Sequence, residues 1–565
     1  MMQVAHERIG WREASEWLGQ IVGPDMPYLR LAAVYGVAIS LLSLATPISV
    51  QLLINNVANT ALPAPLWTLA GLLLLLLFVA GLSAMRFWVM ALFERHAFAR
   101  VVSEVTTRAI HAQNPFFADQ NRGDLFNRYF DLVVVQKAVP SLIIGGFTIL
   151  LQSVVGLIVT SFYHPFFLAF NALLVVLVLA IWLLWSRGSI RSAVALSHAK
   201  HDAARWLESL GASNGFYKSS RHLDFAMDRS DAVTATYVEQ HRRYFRYSFA
   251  QTVAFLLLYA FASAALLALG GNLILRGELS IGQLVAAELI LSGVFYGVSQ
   301  LGWYLDTLYD LVASAEELSL LYAIPQEPAV AKAGEAPVDG AVQFAGVEIE
   351  HACFDFALAA GEQLVTLSDG SAERLLAMVL KRHLVPERGL VTVGGADMAT
   401  FDTYRLRSEI MVLDRPTIVE VTIREYLTLA NDGSMPGAVL DALTMVGLRN
   451  AIARLPLGLD TPLAASGFPL SIAEVIALKL AKALLVRPRV LLLSELFDLV
   501  PTDRLANVLR QLKAAQTTTL LCTGRPEDIS LDGWFQLEPR RQRRFDTREA
   551  LIAATRKEAT DAVQA

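Results

Sequence analysis

Six long apolar stretches in the first part of the chain constrain its fold more than any other feature. Each approaches the length, about 20 residues, that an α-helix needs to cross a bilayer. No such stretch follows Tyr322. Six in succession predict a membrane domain rather than buried helices of a soluble core. They are Tyr28–Leu53, Leu66–Ala91, Ala138–Tyr163, Phe166–Trp185, Ala250–Leu275 and Gln283–Trp303.

The composition agrees with a protein that lies largely in a bilayer. Charged residues make up 18% of the 565 residues, whereas a soluble domain is about a quarter charged. The net charge of −5 excludes a globally basic nucleic-acid binder, because such proteins use Lys and Arg to hold phosphates. Two cysteines, Cys353 and Cys522, are too few for a disulfide scaffold or a multi-cysteine metal site. The expected environment is membrane lipid, without nucleic acid as a partner.

The charges between the apolar stretches predict their orientation. Asn55–Pro65 carries no charge, whereas Glu94–Lys137 and Arg187–Arg246 are rich in Lys and Arg. An excess of these residues marks the cytoplasmic side of a membrane. We therefore expect a multi-pass protein of the cytoplasmic (inner) membrane, with both termini and the second half of the chain in the cytoplasm. Both basic segments continue the helical apolar pattern, which predicts helices that extend beyond the membrane.

Two details of the membrane half carry their own expectations. Gly10–Val22 mixes tryptophans with charged residues, which favours an amphipathic helix at the membrane interface; a disordered N-terminus is the alternative. No signal-peptide pattern precedes it. Arg86 is expected to extend its guanidinium to the inner interface. We do not expect it to pair with Glu288, because the two residues lie at different depths.

The second half of the chain has the pattern of a separate α/β domain. Residues 323–340 are rich in Pro, Ala and Gly, as is typical of a linker. After them, short β-branched runs alternate with helical patterns. The clearest predicted strands are Leu364–Leu367, Leu390–Val393, Val490–Leu493 and Thr518–Cys522.

The chain as a whole resembles one half of an ABC exporter, through motifs that occur in the family's order. Leu455–Leu484 opens with Leu-Pro-x-Gly-Leu-Asp-Thr and has LSIAE where the family has its LSGGQ signature. Arg487–Glu495 resembles the strand that normally ends in Asp-Glu. Tyr404–Tyr426 resembles the region around the Q-loop, and Leu520–Arg525 the switch strand.

This resemblance implies a fold and a division of the chain. The fold is an all-α six-helix transmembrane domain of the ABC exporter type I, followed by an α/β domain like the P-loop NTPases. The expected segments are an amphipathic elbow helix at 1–24, the transmembrane domain at 25–322, a linker at 323–340, a degenerate nucleotide-binding domain at 341–545 and a C-terminal tail at 546–565.

The loop that should hold the phosphates of ATP is altered. Such a loop uses backbone N–H groups of glycines, and a lysine that reaches the β- and γ-phosphates. Here it is two residues shorter than the family's GxxGxGKST and contains no lysine. Asp369 and Glu373 add negative charge, and Arg374 is a weak replacement for the lysine. The positions of the degenerate loop are Ser368, Asp369, Gly370, Ser371, Ala372, Glu373 and Arg374.

The remaining positions of an ATP site are altered too. Glu495 stands where the family has its catalytic base, but Ser494 replaces the Mg²⁺-binding aspartate. A base without a metal and a phosphate cradle has nothing to act on, so we expect Glu495 to be a relict. The other implied positions are Asp414 for the Q-loop glutamine, Gly524 for the switch histidine, His351 for the residue that stacks on adenine, and Leu470, Ser471, Ile472, Ala473 and Glu474 for the signature.

These losses together imply a pseudo-ATPase within an export complex. ABC exporters work as pairs of halves that share their ATP sites. The expected partner is a second, competent ABC half, although a homodimer stays open. ATP and Mg²⁺ could then bind through the partner, whereas none is expected on this chain's own loop. Asn121–Asp131 (NRGDLFNRYFD) weakly resembles exporters of the type I secretion and bacteriocin kind, which makes a periplasmic adaptor a further candidate partner.

Two other functions stay open from the sequence. The chain could be a membrane scaffold or regulator that does not transport, with a homodimer as one form, and whose basic cluster Arg540–Arg544 contacts anionic lipid or an acidic partner. A solvated tail is the simpler interpretation of that cluster. The chain could also be a slow ATPase that works through Arg374 and Glu495. Nothing in the sequence identifies a transported substrate.

Overall fold

The chain folds into two units with different secondary structure, Met1–Glu327 and Pro328–Ala565. The structure, a computed structural model, describes residues 11–43, 45–50, 66–114, 117, 123–327, 336–429 and 436–555. Parts of three predicted segments lie outside these ranges: residues 1–10 of the elbow, 328–335 of the linker and 556–565 of the tail. The end of the first apolar stretch, 51–53, also lies outside them.

The first unit is built from long helices. Over the described residues, six helical stretches are long and apolar enough to cross a membrane, which confirms the six predicted spans. The helices are α1 Trp11–Val22, α2 Met26–Ser43, α3 Leu66–Ile110, α4 Leu132–Ser141, α5 Phe147–Ser161, α6 Pro165–Ala212, α7 Ser220–Leu275 and α8 Ile281–Tyr322. A 3₁₀ segment, Gly123–Asp131, precedes α4, and one turn of π-helix, Leu142–Gly146, follows it.

The helices α6 and α7 are much longer than a bilayer is thick. They contain 48 and 56 residues, or about 72 and 84 Å at 1.5 Å per residue, against about 30 Å of hydrocarbon. Pro165 stands in the first turn of α6, where its missing N–H is not needed, and the His164 ring accepts a hydrogen bond from the Phe166 N–H. Long extensions of both helices therefore continue past the apolar segments, as the sequence predicts.

The α1 helix is attached to the rest of the first unit by an acidic residue that follows it. Asp25 is fully buried. Its Oδ1 lies 2.7 Å from His96 Nδ1, and its Oδ2 accepts a hydrogen bond from Arg100 Nη2 at 2.8 Å. Arg100 also donates to the Ile21 carbonyl at 2.6 Å. Both His96 and Arg100 belong to α3, so an ion-pair network connects the end of α1 to that helix.

Arg86 lies elsewhere than the sequence predicts. Its side chain is 6% exposed and buried among α2, α3 and α5, where Nη1 donates a hydrogen bond to Thr148. Gly36 of α2 lies beside it, since a Cβ at that position would be in van der Waals contact with Nη1, at 3.6 Å. The expectation that Arg86 extends to the membrane interface is therefore wrong, because another helix supplies its acceptor. Glu288 accepts a hydrogen bond from Ser292 on its own helix.

The second unit contains two sheets and shorter helices. Its strands are β1 Val342–Ile349, β2 Ala352–Leu358, β3 Gln363–Ser368, β4 Arg388–Val393, β5 Ala396–Asp397, β6 Ile410–Leu413, β7 Val490–Leu493, β8 Thr518–Cys522, β9 Gly533–Glu538 and β10 Arg541–Phe545. Its helices are α9 Gly370–Leu380, α10 Thr403–Glu409, α11 Ile423–Thr428, α12 Pro436–Met445, α13 Arg449–Ala453, α14 Ile472–Val486 and α15 Thr502–Ala514. All four strands predicted most clearly are present.

The larger sheet determines where a site can form. Its order is β10-β9-β3-β8-β7-β6, and all neighbours are parallel except β9 and β10. Alternate residues of β7 enter opposite cores, Leu492 beside α9 and Leu491 and Leu493 beside α14. A strand covered on both faces needs such a continuous apolar run. The carboxyl ends of β3, β6, β7 and β8 therefore share one edge, where parallel sheets bind ligands.

The basic cluster near the C-terminus forms part of the sheet. Arg541–Phe545 is the edge strand β10, and Arg544 forms an ion pair with Glu362. Five of its residues are in register with β9. The cluster is thus an ordered strand rather than a solvated tail.

Candidate nucleotide site

The connection between β3 and α9 lies where the family implies a phosphate-binding loop. The strand ends at Ser368 and the helix begins at Gly370, so Asp369 alone joins them. Asp369 caps the helix, because its Oδ1 accepts a hydrogen bond from the Ser371 N–H at 2.9 Å. Its own N–H donates to the Leu537 carbonyl of β9. In a P-loop, the free N–H groups before and at the helix N-terminus bind phosphate; here a carboxylate of the chain takes one of them.

Glu373 adds a second carboxylate one turn into α9. It is half-buried, and its Oε2 accepts a hydrogen bond from Ser368 Oγ at 3.0 Å. Burial raises the pKa of the Glu373 carboxyl, and the negative charges of Glu495 and Asp414 raise it further. The hydrogen bond from Ser368 acts in the opposite direction. Glu373 of α9, Asp414 after β6 and Glu495 after β7 therefore lie near one another and form an acidic group.

Ser494 occupies the expected end of β7. It is 6% exposed and caps the 3₁₀ segment Glu495–Leu499, with its Oγ accepting a hydrogen bond from the Leu496 N–H at 3.4 Å. Its neighbour Glu495 is exposed. A magnesium ion prefers carboxylate oxygens, whereas this hydroxyl is already used by the backbone.

Asp498 is a functional candidate that the sequence reasoning missed. Its Oδ1 accepts a hydrogen bond from Thr523 Oγ1 at 2.6 Å, and its Oδ2 accepts one from the Gly524 N–H at 3.0 Å. Arg525 donates to the Asp498 carbonyl. The switch position therefore lies next to the segment after β7, and Asp498 fastens it there. In the sequence, the only sign of this role was that an acidic residue stands three positions after Glu495.

Lys479 is a second residue that was missed. It lies on α14, is 6% exposed and donates from Nζ to the carbonyls of Arg415 and Thr417 at 2.5 and 2.6 Å. Those carbonyls belong to the loop that follows Asp414, the Q-loop position. Burial lowers the pKa of the Lys479 amine to about 8. A lysine between two leucines, Leu478 and Leu480, was the sequence signal for this contact.

The signature positions begin α14. Leu470 is buried, whereas Ser471, Ile472 and Ala473 are exposed. Ser471 and Glu474 form a capping box: the Glu474 carboxylate accepts hydrogen bonds from both N–H and Oγ of Ser471 at 2.9 Å. The Glu474 carboxylate thus occupies the N–H of Ser471, the residue before Ile472 and Ala473, where the family has glycines that let backbone N–H groups approach phosphate.

His351 and Arg374 are both exposed. His351 lies in the turn between β1 and β2 of the four-stranded sheet, with its ring 3.9 Å from a Glu350 carboxylate oxygen. Its carbonyl accepts a hydrogen bond from Arg540. It is therefore on a different sheet from the strands that carry the other positions.

Comparison with known proteins identifies the membrane unit. Residues 29–212 match the ABC transporter transmembrane region. These residues include α2 and α6, and so most of the helices that form the first unit's spans.

Curated relatives align with part of the chain. They include the leukotoxin export ATP-binding protein LtxB of Aggregatibacter actinomycetemcomitans (26% identical), the alpha-hemolysin translocation ATP-binding protein HlyB of Escherichia coli O157:H7 (24%) and the leukotoxin translocation ATP-binding protein LktB of Mannheimia haemolytica (26%). Each alignment covers 237 residues, 40% of this chain and 34% of the relative. The chain thus matches about a third of the length of these relatives.

A solved structure has the same architecture over nearly the whole chain. The structure of a bacterial Atm1-family ABC exporter with ATP bound superposes with a TM-score of 0.76, at 18% identity, over 91% of this chain and 95% of that chain. At this identity the similarity establishes the fold. The chain is therefore a multi-pass membrane protein that matches the ABC transporter transmembrane region over residues 29–212 and has the fold of an exporter-type ABC half-transporter.

Proposed function

We propose that the chain is a subunit of an ABC-type export complex that supplies a membrane path and a nucleotide-binding domain without ATPase activity. The observation that carries this proposal is the connection of β3 to α9 through Asp369 alone. A triphosphate needs several free N–H groups and a cation at this point. It would meet the carboxylates of Asp369 and Glu373 instead, and the repulsion between like charges opposes binding.

Three further contacts support the proposal, because each uses a catalytic position for internal packing. Ser494 caps a 3₁₀ turn, Glu474 forms a capping box with Ser471, and Asp498 holds Gly524. These side chains stabilise the fold of the domain without a ligand. A domain kept folded in this way can still transmit force from a partner that hydrolyses ATP.

The proposed partner is a second ABC half with intact motifs, joined in the cytoplasmic (inner) membrane with both nucleotide-binding domains in the cytoplasm. The curated relatives are named as export or translocation ATP-binding proteins. This supports export as the direction, and a periplasmic adaptor as a further partner. ATP and Mg²⁺ would then bind through the partner's phosphate loop, opposite the LSIAE segment of this chain.

Purification of the full chain in detergent tests the loss of activity. We expect no Mg²⁺-dependent ATP hydrolysis above that of a mock preparation, and no difference between the wild type and Glu495→Gln. Hydrolysis by the wild type that Glu495→Gln abolishes would show that the chain is an ATPase.

Affinity purification from the native membrane tests the partnership. We expect a second ABC half in equal amount, and ATPase activity in that complex which depends on the partner's own catalytic glutamate. A stable homodimer without such a partner would contradict the proposal and favour a scaffold.

A further inference from the structure

A group of ionisable side chains, of which the three carboxylates are buried, lies where α6, α8 and the 3₁₀ segment Gly123–Asp131 meet. On α6 it begins beyond Trp185, the end of the predicted span. The group is distant from the nucleotide positions in sequence and belongs entirely to the first unit. Its members are Arg128 and Asp131 of the 3₁₀ segment, His198, Lys200 and His201 of α6, and Glu316 and Glu317 of α8.

The permanent charges of this group do not balance. The side chains of Asp131, Glu316 and Glu317 are 3%, 7% and 0% exposed. Arg128 pairs with Glu317, and Lys200 Nζ lies 2.6 Å from Asp131 Oδ1. Three carboxylates against two permanent cations leave one negative charge while both histidines are neutral. Burying an uncompensated charge is costly, so one more positive charge, either a proton on a histidine or a bound cation, stabilises the group.

The distances suit a metal ion as that cation. His198 Nε2 lies 2.9 Å from Glu316 Oε2 and 3.7 Å from Glu317 Oε1, and one ligand atom from each of the three residues lies within 4.8 Å of the others. His201 Nε2 lies 3.9 Å from Glu317 Oε1. A tetrahedral ion with bonds of about 2.0–2.2 Å needs ligand atoms about 3.3–3.6 Å apart. Small side-chain movements would bring these atoms to that separation.

One oxygen of Glu317 has no hydrogen-bond partner. Arg128 takes Oε2, whereas Oε1 is buried and accepts no hydrogen bond from any described residue. A buried carboxylate oxygen without a partner costs free energy, and this one is directed toward the two histidines. His198 and His201 are three residues apart and so lie on one face of α6.

We propose that His198, Glu316 and Glu317 bind a divalent transition-metal ion, with His201 beside the fourth coordination position. Imidazole and carboxylate ligands suit zinc and similar ions better than Mg²⁺ or Ca²⁺, which prefer oxygen ligands alone. Asp131 Oδ2, 2.6 Å from His201 Nε2, positions that ring. The ion would tie α6 to α8 beyond the membrane span. The site does not depend on the proposed function of the second unit.

A cavity gives the ion an approach. It has a volume of about 600 Å³ and lies between α6 and α7, lined by His198, Asp202, Gln240, Arg191 and Arg243 among others. The His198 side chain is 26% exposed, whereas Glu317 lies behind it with no exposure. A hydrated ion could therefore reach His198 first and then exchange water for the carboxylates.

Titration of the chelator-treated full chain in detergent tests the site. We expect Zn²⁺ to bind in a one-to-one ratio at micromolar concentration in isothermal titration calorimetry. Co²⁺ should give the intense visible absorption of a four- or five-coordinate ion, which hexa-aquo Co²⁺ lacks. Zn²⁺ should also raise the Tm of the wild type, whereas equimolar Mg²⁺ should not.

Two substitutions and a matched control locate the ligands. His198→Gln and Glu316→Gln keep hydrogen-bonding groups of similar size, and each should weaken Zn²⁺ binding at least about tenfold. His241→Gln, at an exposed histidine of α7, should leave binding unchanged. Two results would overturn the proposal and leave the group as an ion-pair network. One is that the wild type does not bind Zn²⁺. The other is that folded His198→Gln and Glu316→Gln keep both the Zn²⁺ binding and the Co²⁺ absorption of the wild type.

Discussion

Lys479 shows how a single residue connects two elements of the site, the helix α14 and the loop that follows Asp414. Its Nζ donates hydrogen bonds to the carbonyls of Arg415 and Thr417. Without Lys479, these two carbonyls would lie beside α14 without a hydrogen-bond donor. The neutral amine keeps two N–H groups, so both hydrogen bonds can survive the loss of the proton. Burial lowers the pKa of Lys479 from 10.5 to about 8, because an ammonium loses its hydration there.

This lowered pKa predicts a pH-dependent stability. Between pH 8 and 10.5 the unfolded chain binds more protons at this lysine than the folded chain does, so stability rises with pH in that window. From pH 8 to pH 10, the wild type should gain about 2 kcal/mol of unfolding free energy relative to Lys479→Met. Thermal unfolding of both proteins at the two pH values measures the difference.

Arg510→Met, at an exposed cation of α15, is the control for this comparison. Its difference from the wild type should stay constant over the same range. Equal pH dependence of the two variants would show that Lys479 carries no lowered pKa.

At the scale of elements, side chains of the chain cap the N-termini of the helices that follow the strands and loops of the site. Asp369 caps α9, the Ser471–Glu474 pair caps α14, and Ser494 caps the 3₁₀ segment after β7. Helix N-termini attract anions, and in each case the site's own side chain takes that place. The elements can therefore be stable without a phosphate or a metal ion.

Asp498 makes a contact between two elements that a substitution can test directly. Replacement by Ala leaves the Gly524 N–H and the Thr523 hydroxyl without their acceptor. Hydrogen bonds to a charged group contribute about 1.5–3 kcal/mol each, and partial hydration will recover some of this. Asp498→Ala should therefore lower the unfolding free energy by about 2 kcal/mol, as measured by thermal unfolding.

Asp503→Ala is the matched control, since Asp503 is exposed in the first turn of α15. It should cost less than about 1 kcal/mol, the usual value of a charge near a helix N-terminus. Asp498→Asn, which keeps one acceptor, should fall between the two. Equal losses for Asp498→Ala and Asp503→Ala would refute a fastening role for Asp498.

At the scale of the whole molecule, each unit has its own cores. Within the first unit, clusters of buried apolar residues join α1, α2, α3 and α8, and others join α5 to α8. Polar networks connect the same helices at particular points. Asp25, Asp131 and Glu317 are among the most buried charges in those networks.

Asp25 allows a test of how the N-terminal helix is held. Removing one partner of a buried ion pair costs about 3–5 kcal/mol, because the other charge is left uncompensated. Glu104 still pairs with Arg100, so we expect Asp25→Ala to cost about 3 kcal/mol. Limited proteolysis should then cut near α1 at least about tenfold faster than in the wild type.

Arg12→Ala is the control for this prediction. It removes an exposed ion pair with Glu16 in α1 itself, which is worth less than about 1 kcal/mol. Cleavage should be nearly unchanged. If Asp25→Ala is cut at the wild-type rate, α1 is held by apolar contacts alone.

The sequence by itself determined the features that depend on local pattern. The length of the apolar runs predicted the six spans, and β-branched runs predicted β3, β4, β7 and β8. Both predictions succeed because the burial of a run and its backbone geometry depend on residues that are adjacent in the sequence. The order of motifs indicated the exporter fold. The same comparison predicted the altered loop between Leu367 and Leu375, since a missing lysine and missing glycines are visible in any sequence.

Only the tertiary structure decided which distant polar groups meet. Arg86 finds Thr148 on another helix, Asp498 finds Gly524 across the sheet edge, and His198 lies beside Glu316 and Glu317. Hydrogen bonds and ion pairs act over a few ångströms, whereas these partners are separated by 26 to 119 residues along the chain. Their pairing depends on how the helices and strands pack, and no local pattern records that packing.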